Sequence, residues 1–140
     1  MDLSPSTWRV LGLSVAATYI GLGTNAIAAP VQTAKVFGVY PEGTPSASDD
    51  KVYLTDKDKH AKAATMSMKL LGVRDVSIGL AIAVFGYQDN QRAMGTVILS
   101  GLVLCVVDVY EIWKVRGPGW GSAFAMGAAI WIAIGYGLVQ

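Results

Sequence analysis

The segment AMGTVILSGLVLCVVDVYEIWKV, residues Ala93–Val115, decides the fold that we predict for this chain. It begins as uncharged, membrane-type sequence and ends with two carboxylates, Asp108 and Glu111, inside the same apolar run. A carboxylate near the centre of a membrane helix costs about 2.5–3.5 kcal/mol on insertion scales. A second apolar run, earlier in the chain, contains Arg74 and Asp75. We interpret these four ionisable residues as one site, which the rest of the chain holds in place.

The composition of the chain is typical of a membrane protein. Of its 140 residues, 53% are hydrophobic and 15% are charged, and the mean hydropathy is +0.45. The net charge of +1 favours neither a nucleic-acid partner nor an acidic substrate. With one Cys and one His, the chain can form neither an internal disulfide nor a Cys/His zinc site. We therefore predict a single integral membrane domain over residues 1–140, without a metal or an organic cofactor.

Four apolar segments are long enough to cross a bilayer. The predicted fold class is all-α: a four-helix transmembrane bundle with one long polar loop between helices 1 and 2. The first segment has the length of a signal peptide, but its polar residues, among them Tyr19 and Asn25, argue against one. The predicted spans lie at about residues 8–29, 66–88, 91–115 and 119–139.

The distribution of basic residues predicts the orientation. An even number of spans places both termini on one side of the membrane, with the Lys-rich loop over residues 30–65 on the other. By the positive-inside rule this loop is cytoplasmic, and we expect the membrane to be that of the endoplasmic reticulum. Within the loop, Gly43–Asp50 is expected to be floppy. The charged run between this stretch and the second span is expected to be exposed to solvent, and a helical conformation is one option for it.

The polar residues of the spans fall at similar depths. Counted at 1.5 Å per residue, they lie in the same half of the bilayer, roughly 6–15 Å from the loop-side surface. Nothing in the composition forces this clustering. The residues concerned are Asn25, Arg74, Asp75, Asp108 and Glu111.

Two interpretations of this clustering remain open. Arg74 could pair with Asp75 or Asp108 only to neutralise charge and lock the bundle. Three acids against one arginine do not neutralise, however, so at least one carboxyl is expected to carry a proton. A neutral carboxyl beside a carboxylate is suited to general acid–base chemistry. The chain has no phosphate-binding glycine loop, no Ser/His/Asp set and no dinucleotide fingerprint.

These observations predict proton chemistry on a lipid-soluble molecule: opening an epoxide, cyclising an epoxide or a polyene, or moving a double bond. We predict Asp108 as the base that activates water, Asp75 or Glu111 as the acid, and Arg74 as the group that orients them. No residue-level argument separates the three acids. The residues predicted to bind substrate are Tyr19, Asn25, Arg92 and Tyr110.

The segments GVRDVSIGLAIAVFG (Gly72–Gly86) and DVYEIWK (Asp108–Lys114), with Arg92 between them, resemble a family of small four-span membrane proteins. This family is common in fungi, and AAPVQTAKVFG (Ala28–Gly38) fits its first loop. The chain is also similar to the membrane-bound epoxide hydrolases and cyclases of fungal polyene-pyrone polyketide pathways, of the aurovertin, citreoviridin and asteltoxin type. That resemblance implies a hydrophobic secondary metabolite as the substrate.

A second likeness concerns chemistry alone. Soluble epoxide hydrolases of the limonene type use an Asp-Arg-Asp arrangement, which Asp75, Arg74 and Asp108 could reproduce on an unrelated fold. We therefore expect an intramembrane enzyme that hydrolyses or cyclises an epoxide. The alternative is a non-catalytic membrane protein that binds a lipid or small molecule, or a subunit of a biosynthetic membrane complex. Expected partners are the substrate and membrane lipid, with a homo-oligomer left open and no nucleic acid.

The space between the spans should discriminate between the two interpretations. An enzyme should have a cavity that the acids line and that opens to lipid or to the loop side. A structural lock should have a solid centre in which Arg74 is closed onto one acid.

Overall fold

The computed structural model describes residues 4–41 and 55–140. In these residues four helical segments are long and apolar enough to cross a membrane, as predicted. The third of them is divided at Gly101 into two helices, and a short additional helix follows the first span. The helices are α1 (Pro5–Ala28), α2 (Pro30–Val36), α3 (Asp56–Tyr87), α4 (Gln91–Ser100), α5 (Leu102–Arg116) and α6 (Pro118–Val139).

Local sequence explains where several helices begin and end. Ser4 caps α1, since its hydroxyl accepts a hydrogen bond from the backbone N–H of Thr7 at 3.3 Å. A capping box starts α3: Thr55 accepts from the Asp58 N–H, and the Asp58 carboxylate accepts from the Thr55 N–H. Gly117, at a φ of +85°, separates α5 from α6, which is a conformation that favours glycine.

The polar connection between the first two spans is partly helical. Where the structure describes it, α2 occupies its beginning, and α3 starts at Asp56, ten residues before the predicted start at residue 66. The capping box explains the early start. At 1.5 Å per residue the 32 residues of α3 extend about 48 Å, more than the ~30 Å of hydrocarbon, so part of α3 projects beyond the bilayer. The stretch Gly43–Asp50, expected to be floppy, lies outside the described residues.

The four spans run antiparallel, with both ends of the described chain on one side. The Arg9 guanidinium pairs with the Asp89 carboxylate at 2.5 Å, which ties the start of α1 to the turn between α3 and α4. Gly137, near the end of α6, lies against the ring of Trp8. We call this side of the bundle the terminal half. The other side, which contains α2 and Gly117, is the loop half.

Glycines bring the helices of two pairs into close contact. A Cβ atom added to Gly23 of α1 would lie 2.6 Å from the carbonyl oxygen of Gly72 on α3, and the converse distance is also 2.6 Å. Likewise, a Cβ atom on Gly95 of α4 would lie 2.6 Å from the carbonyl oxygen of Gly135 on α6. Small residues allow such close approach of helices in lipid.

Buried apolar side chains form two separate clusters in the described residues. The larger lies in the terminal half and the smaller lies beneath α2. On α3, Asp75 is seven residues from Met68 of the smaller cluster and seven from Ile82 of the larger one. The larger cluster contains Val15, Ala16, Tyr19, Ile82, Met94, Ile98, Ile134 and Leu138. The smaller contains Ala34, Tyr40, Ala61 and Met68.

In the loop half, α5 stands apart from α1 and α3. No Cα atom of α5 lies within 8 Å of a Cα atom of either helix, although helices packed together have axes about 8–10 Å apart. The separation begins at the break in the third span, which was predicted as one helix over residues 91–115. The break falls at the pair Ser100–Gly101, and Ser/Gly pairs are a common cause of helix kinks. We call the resulting space between α5 and the α1–α3 pair the cleft.

Candidate functional site

Three of the predicted residues form one cluster, which we call the Asp–Arg–Asp cluster: Asp75 and Arg74 on α3, and Asp108 on α5. The Arg74 Nε donates a hydrogen bond to the Asp75 Oδ1 at 3.0 Å, and one terminal nitrogen, Nη2, lies 3.0 Å from the same oxygen. The same Nη2 lies 3.5 Å from the Asp108 Oδ2. The Arg74 side chain therefore crosses the cleft and joins two helices whose backbones are not packed together.

The members of the cluster differ in their exposure. The side chain of Asp75 is 11% exposed, that of Arg74 is 34% exposed and that of Asp108 is 42% exposed. Asp75 is thus enclosed between α1 and α3, whereas Asp108 remains accessible. With both carboxyls ionised, one negative charge would be uncompensated inside a membrane-spanning segment, which is costly. A single proton shared by the two carboxyls would remove that charge.

Two further side chains from other spans lie beside the cluster. Tyr19 of α1 is 6% exposed, and its ring packs on Trp131 of α6 with the centroids 4.5 Å apart. Its hydroxyl oxygen lies 3.1 Å from the position that a Cβ atom on Gly101 would occupy. Both Tyr19 and the thiol of Cys105, one turn from Asp108 on α5, lie within electrostatic range of the cluster. All four spans therefore contribute side chains to this region.

Glu111 is not part of the cluster. It lies on the exposed side of α5 and makes no hydrogen bond or ion pair with the described part of the chain. The i, i+3 spacing from Asp108 suggested a shared face. Three residues turn the helix by about 300°, which leaves Glu111 about 60° from Asp108, and this offset is enough to place Glu111 on the exposed side of α5. The sequence-based prediction grouped four ionisable residues, and the structure brings three of them together.

The residues predicted to bind substrate are spread more widely. Asn25 lies on an exposed face of α1, where its amide donates to the Thr33 hydroxyl of α2 at 3.4 Å. Arg92 lies exposed in the first turn of α4, sixteen residues and about 24 Å along the span from Asp108. Tyr110 is exposed on α5, with the Lys114 ammonium 5.3 Å from its ring centroid. Of the four, Tyr19 alone is beside the cluster.

An apolar groove of about 390 Å³ lies between α5 and α6. This volume is within the usual range for small-molecule sites. Cys105, at one edge of the groove, is also a neighbour of the cluster, whereas none of the three charged residues lines the groove. Other residues of its wall are Val109, Tyr110, Trp113, Ala125 and Ala129.

The structure combines features of both interpretations. Arg74 is closed onto Asp75, as a structural lock requires. In the loop half, however, the backbones of α5 and α3 are not packed together, and Asp108 remains 42% exposed. The acids border the cleft rather than a closed cavity.

Two residues of this region could hardly be assigned to the site from the sequence. Trp131 lies in a span without charged residues, and only the fold shows that it supports Tyr19. Gly101 is one of many glycines in the apolar segments, but it follows Ser100 in the middle of a predicted span. The Ser100–Gly101 pair was the feature of the sequence that could have indicated a break in this helix.

The fold and the cluster define a small four-span helical protein with charged residues at the centre of its membrane segments. The chain belongs to the family described as a domain of unknown function, DUF4267, whose profile matches residues 16–138. The match extends from α1 into α6 and contains the whole Asp–Arg–Asp cluster. No curated protein and no solved structure is significantly similar to the chain.

Proposed function

We propose that the protein is an intramembrane acid–base enzyme that opens the epoxide of a hydrophobic secondary metabolite, by hydrolysis or by cyclisation. The main support is that Arg74 joins two carboxyls, Asp75 and Asp108, on helices whose backbones are not packed together, and that Asp108 remains accessible. A pair that served only as a lock would not need a second carboxyl that remains 42% exposed. The chemistry requires only protons and water, and two carboxyls can donate and accept these protons.

The contacts of Arg74 suggest which carboxyl carries the charge. The Asp75 Oδ1 receives both short contacts, which favours the carboxylate form and leaves the Oδ2 without an arginine contact. Asp108, at 3.5 Å and more exposed, is better placed to carry the proton. We assign Asp108 as the acid and Asp75 as the base. This choice replaces the sequence-based one, in which Asp108 was the base.

The proposed reaction is balanced in protons. Asp108 gives its proton to the oxirane oxygen as one carbon–oxygen bond breaks. A water oxygen, or a hydroxyl oxygen of the substrate itself, forms the new bond to that carbon and loses its proton to Asp75. Transfer of this proton from Asp75 back to Asp108 restores the starting state. Arg74 holds both carboxyls and stabilises the charge that moves between them.

The surroundings of the cluster suit a hydrophobic substrate. The groove between α5 and α6 has an apolar wall that could hold a hydrocarbon chain, and Cys105 connects this groove with the cluster. The resemblance to membrane-bound epoxide hydrolases and cyclases of polyene-pyrone polyketide pathways supports a polyketide epoxide as the substrate. We further propose location in the endoplasmic reticulum membrane, with the polar connection over residues 30–65 on the cytoplasmic side.

The proposal is tested with purified protein in nanodiscs and epoxidised polyenes, with diol and cyclic ether products measured by mass spectrometry. We expect Asp75→Asn and Asp108→Asn each to lower turnover by about a thousandfold, because each removes one partner of the proton transfer. Both variants should still fold. The matched control is Glu111→Gln, an acid on the same helix outside the cluster, which should retain wild-type turnover.

One observation, the hydrogen bond from Arg74 to Asp75, favours a second, non-catalytic function. In a non-catalytic lipid-binding protein or complex subunit, this pair would only stabilise the bundle. Asp75→Asn would then lower the thermal stability, and no epoxide would be turned over by the wild-type protein. That combination of results would replace the enzymatic proposal.

A further inference from the structure

The hydroxyl of Tyr19 is unusual among the polar groups of the spans. The residue is 6% exposed, and its hydroxyl makes no hydrogen bond with the described part of the chain. No fully enclosed side-chain oxygen or nitrogen among the described residues lacks a partner, so this oxygen must border open space. A hydroxyl without a partner in an apolar bundle costs free energy. A hydrogen-bond acceptor that occupies this space would remove that cost.

The direction of the hydroxyl is fixed by its neighbours. The Tyr19 ring packs on Trp131 with centroids 4.5 Å apart, which restricts its movement. The oxygen lies beside Gly101, where a Cβ atom would be only 3.1 Å away. The break in the third span thus provides the room that this hydroxyl occupies.

The hydroxyl lies in the neighbourhood of the Asp–Arg–Asp cluster. Tyr19 lies within electrostatic range of Asp75, Arg74 and Asp108. The charged residues and the hydroxyl come from three different spans, which contain α1, α3 and α5. An acceptor oxygen that entered this region would meet a carboxyl and a hydroxyl together.

We propose that the Tyr19 hydroxyl donates a hydrogen bond to the oxygen of the substrate and so selects a cyclic ether over a hydrocarbon of the same shape. This inference rests on the proposed function, since it assigns a binding role at the same site. Tyr19 undergoes no covalent change and transfers no proton. Its role is to hold the oxygen where Asp108 can reach it. An apolar isostere of the ligand would leave the hydroxyl without a partner, which is the basis of the selection.

The test measures binding without turnover. The probes are an alkyl oxetane and the alkyl cyclobutane with the same chain, and affinities are measured by calorimetry for the full-length protein in detergent micelles. The wild-type protein should prefer the oxetane, and in Tyr19→Phe this preference should fall by about fivefold to tenfold, the value of one hydrogen bond. Partition of the probes into micelles is the same for both proteins and cancels in the comparison.

The matched control is Tyr136→Phe, an exposed tyrosine on α6, which should keep the wild-type preference. If Tyr19→Phe does not fold, Gly101→Leu replaces it, because a side chain larger than a methyl group that starts 3.1 Å from the hydroxyl oxygen must displace it. A folded variant at either position that retains the full preference for the oxetane would overturn the inference. A wild-type protein that turns over no epoxide but shows the Tyr19-dependent preference would refute the proposed reaction and leave the binding role intact.

Discussion

The terminal half and the loop half of the bundle are held together in different ways. In the terminal half, Gly95 meets the backbone of Gly135, and side chains such as Ile82 and Met94 are completely buried. In the loop half, α5 has no backbone neighbour on the side of α3, and the Arg74 side chain spans the space. Van der Waals contact holds the spans of the terminal half, and it also holds α1 on α3 at Gly23 and Gly72 in the loop half. The contact between α3 and α5 in the loop half depends on charge.

This difference has a consequence for function. Close backbone packing leaves no room for a ligand, whereas a gap bridged by a long side chain can admit one. The break at Gly101 marks the boundary between the two arrangements. The terminal half therefore serves as the scaffold, and the loop half, where α5 is separated from α3, contains the accessible polar groups.

The largest effect is expected from removing the cation that bridges the loop half. Arg74→Met leaves Asp75 and Asp108 without a counter-charge and should lower the free energy of unfolding by about 3 kcal/mol. A triple variant, Arg74→Met with Asp75→Asn and Asp108→Asn, should recover more than half of this loss, since no charge remains. Chemical unfolding in detergent measures both values. An Arg74→Met protein as stable as wild type would show that charge does not hold α5 and α3 together in the loop half.

The next effect tests the packed half. Gly95→Leu should lower the free energy of unfolding by about 2 kcal/mol, because its side chain must separate α4 from α6. The control is Gly127→Leu, in the middle of α6, where no atom lies within 4 Å of an added Cβ. Thermal unfolding of both proteins gives the comparison. Equal stability of the two variants would mean that the contact between α4 and α6 is not a packed one.

A smaller effect is expected in the groove between α5 and α6. Ala129→Phe fills part of this groove and should raise the KM for an epoxyhexadecane with a terminal oxirane by about tenfold. The KM for a terminal epoxybutane should change little, because its short chain does not need the groove. Ala133→Phe, at an exposed position on the same helix, is the control. An equal change for both substrates would exclude the groove as the site of the hydrocarbon chain.

The smallest effect concerns α2 and its attachment to the rest of the loop half. Arg116 donates hydrogen bonds to the carbonyl oxygens of Lys35 at 2.7 Å and Val36 at 2.8 Å, which fixes the end of α2. Arg116→Ala should increase tryptic cleavage after Lys35 by a few fold and leave the unfolding temperature almost unchanged. Lys114→Ala, which removes a charge placed over Tyr110, should not increase this cleavage. Unchanged cleavage in Arg116→Ala would indicate that α2 is held by its apolar contacts alone.

Much of this architecture could be predicted from single segments of the chain. The length and apolar composition of the spans predicted four membrane helices, because a helix must satisfy its own backbone hydrogen bonds in lipid. Depth counted along each helix placed Arg74, Asp75 and Asp108 near one level, and the structure brings them into contact. Both results follow from the fixed rise of a helix and need no knowledge of its neighbours.

The sequence by itself therefore determined the number of spans, their antiparallel arrangement and the depth of the charged residues. The tertiary structure alone decided which way each side chain faces, because rotation about a helix axis is set by the helices that pack against it. For this reason Glu111 lies outside the cluster and Tyr19 lies beside it, although both had been assigned to the site. The cleft was equally unpredictable, since it arises where α5, after the break at Gly101, packs on α6 but not on α1 or α3.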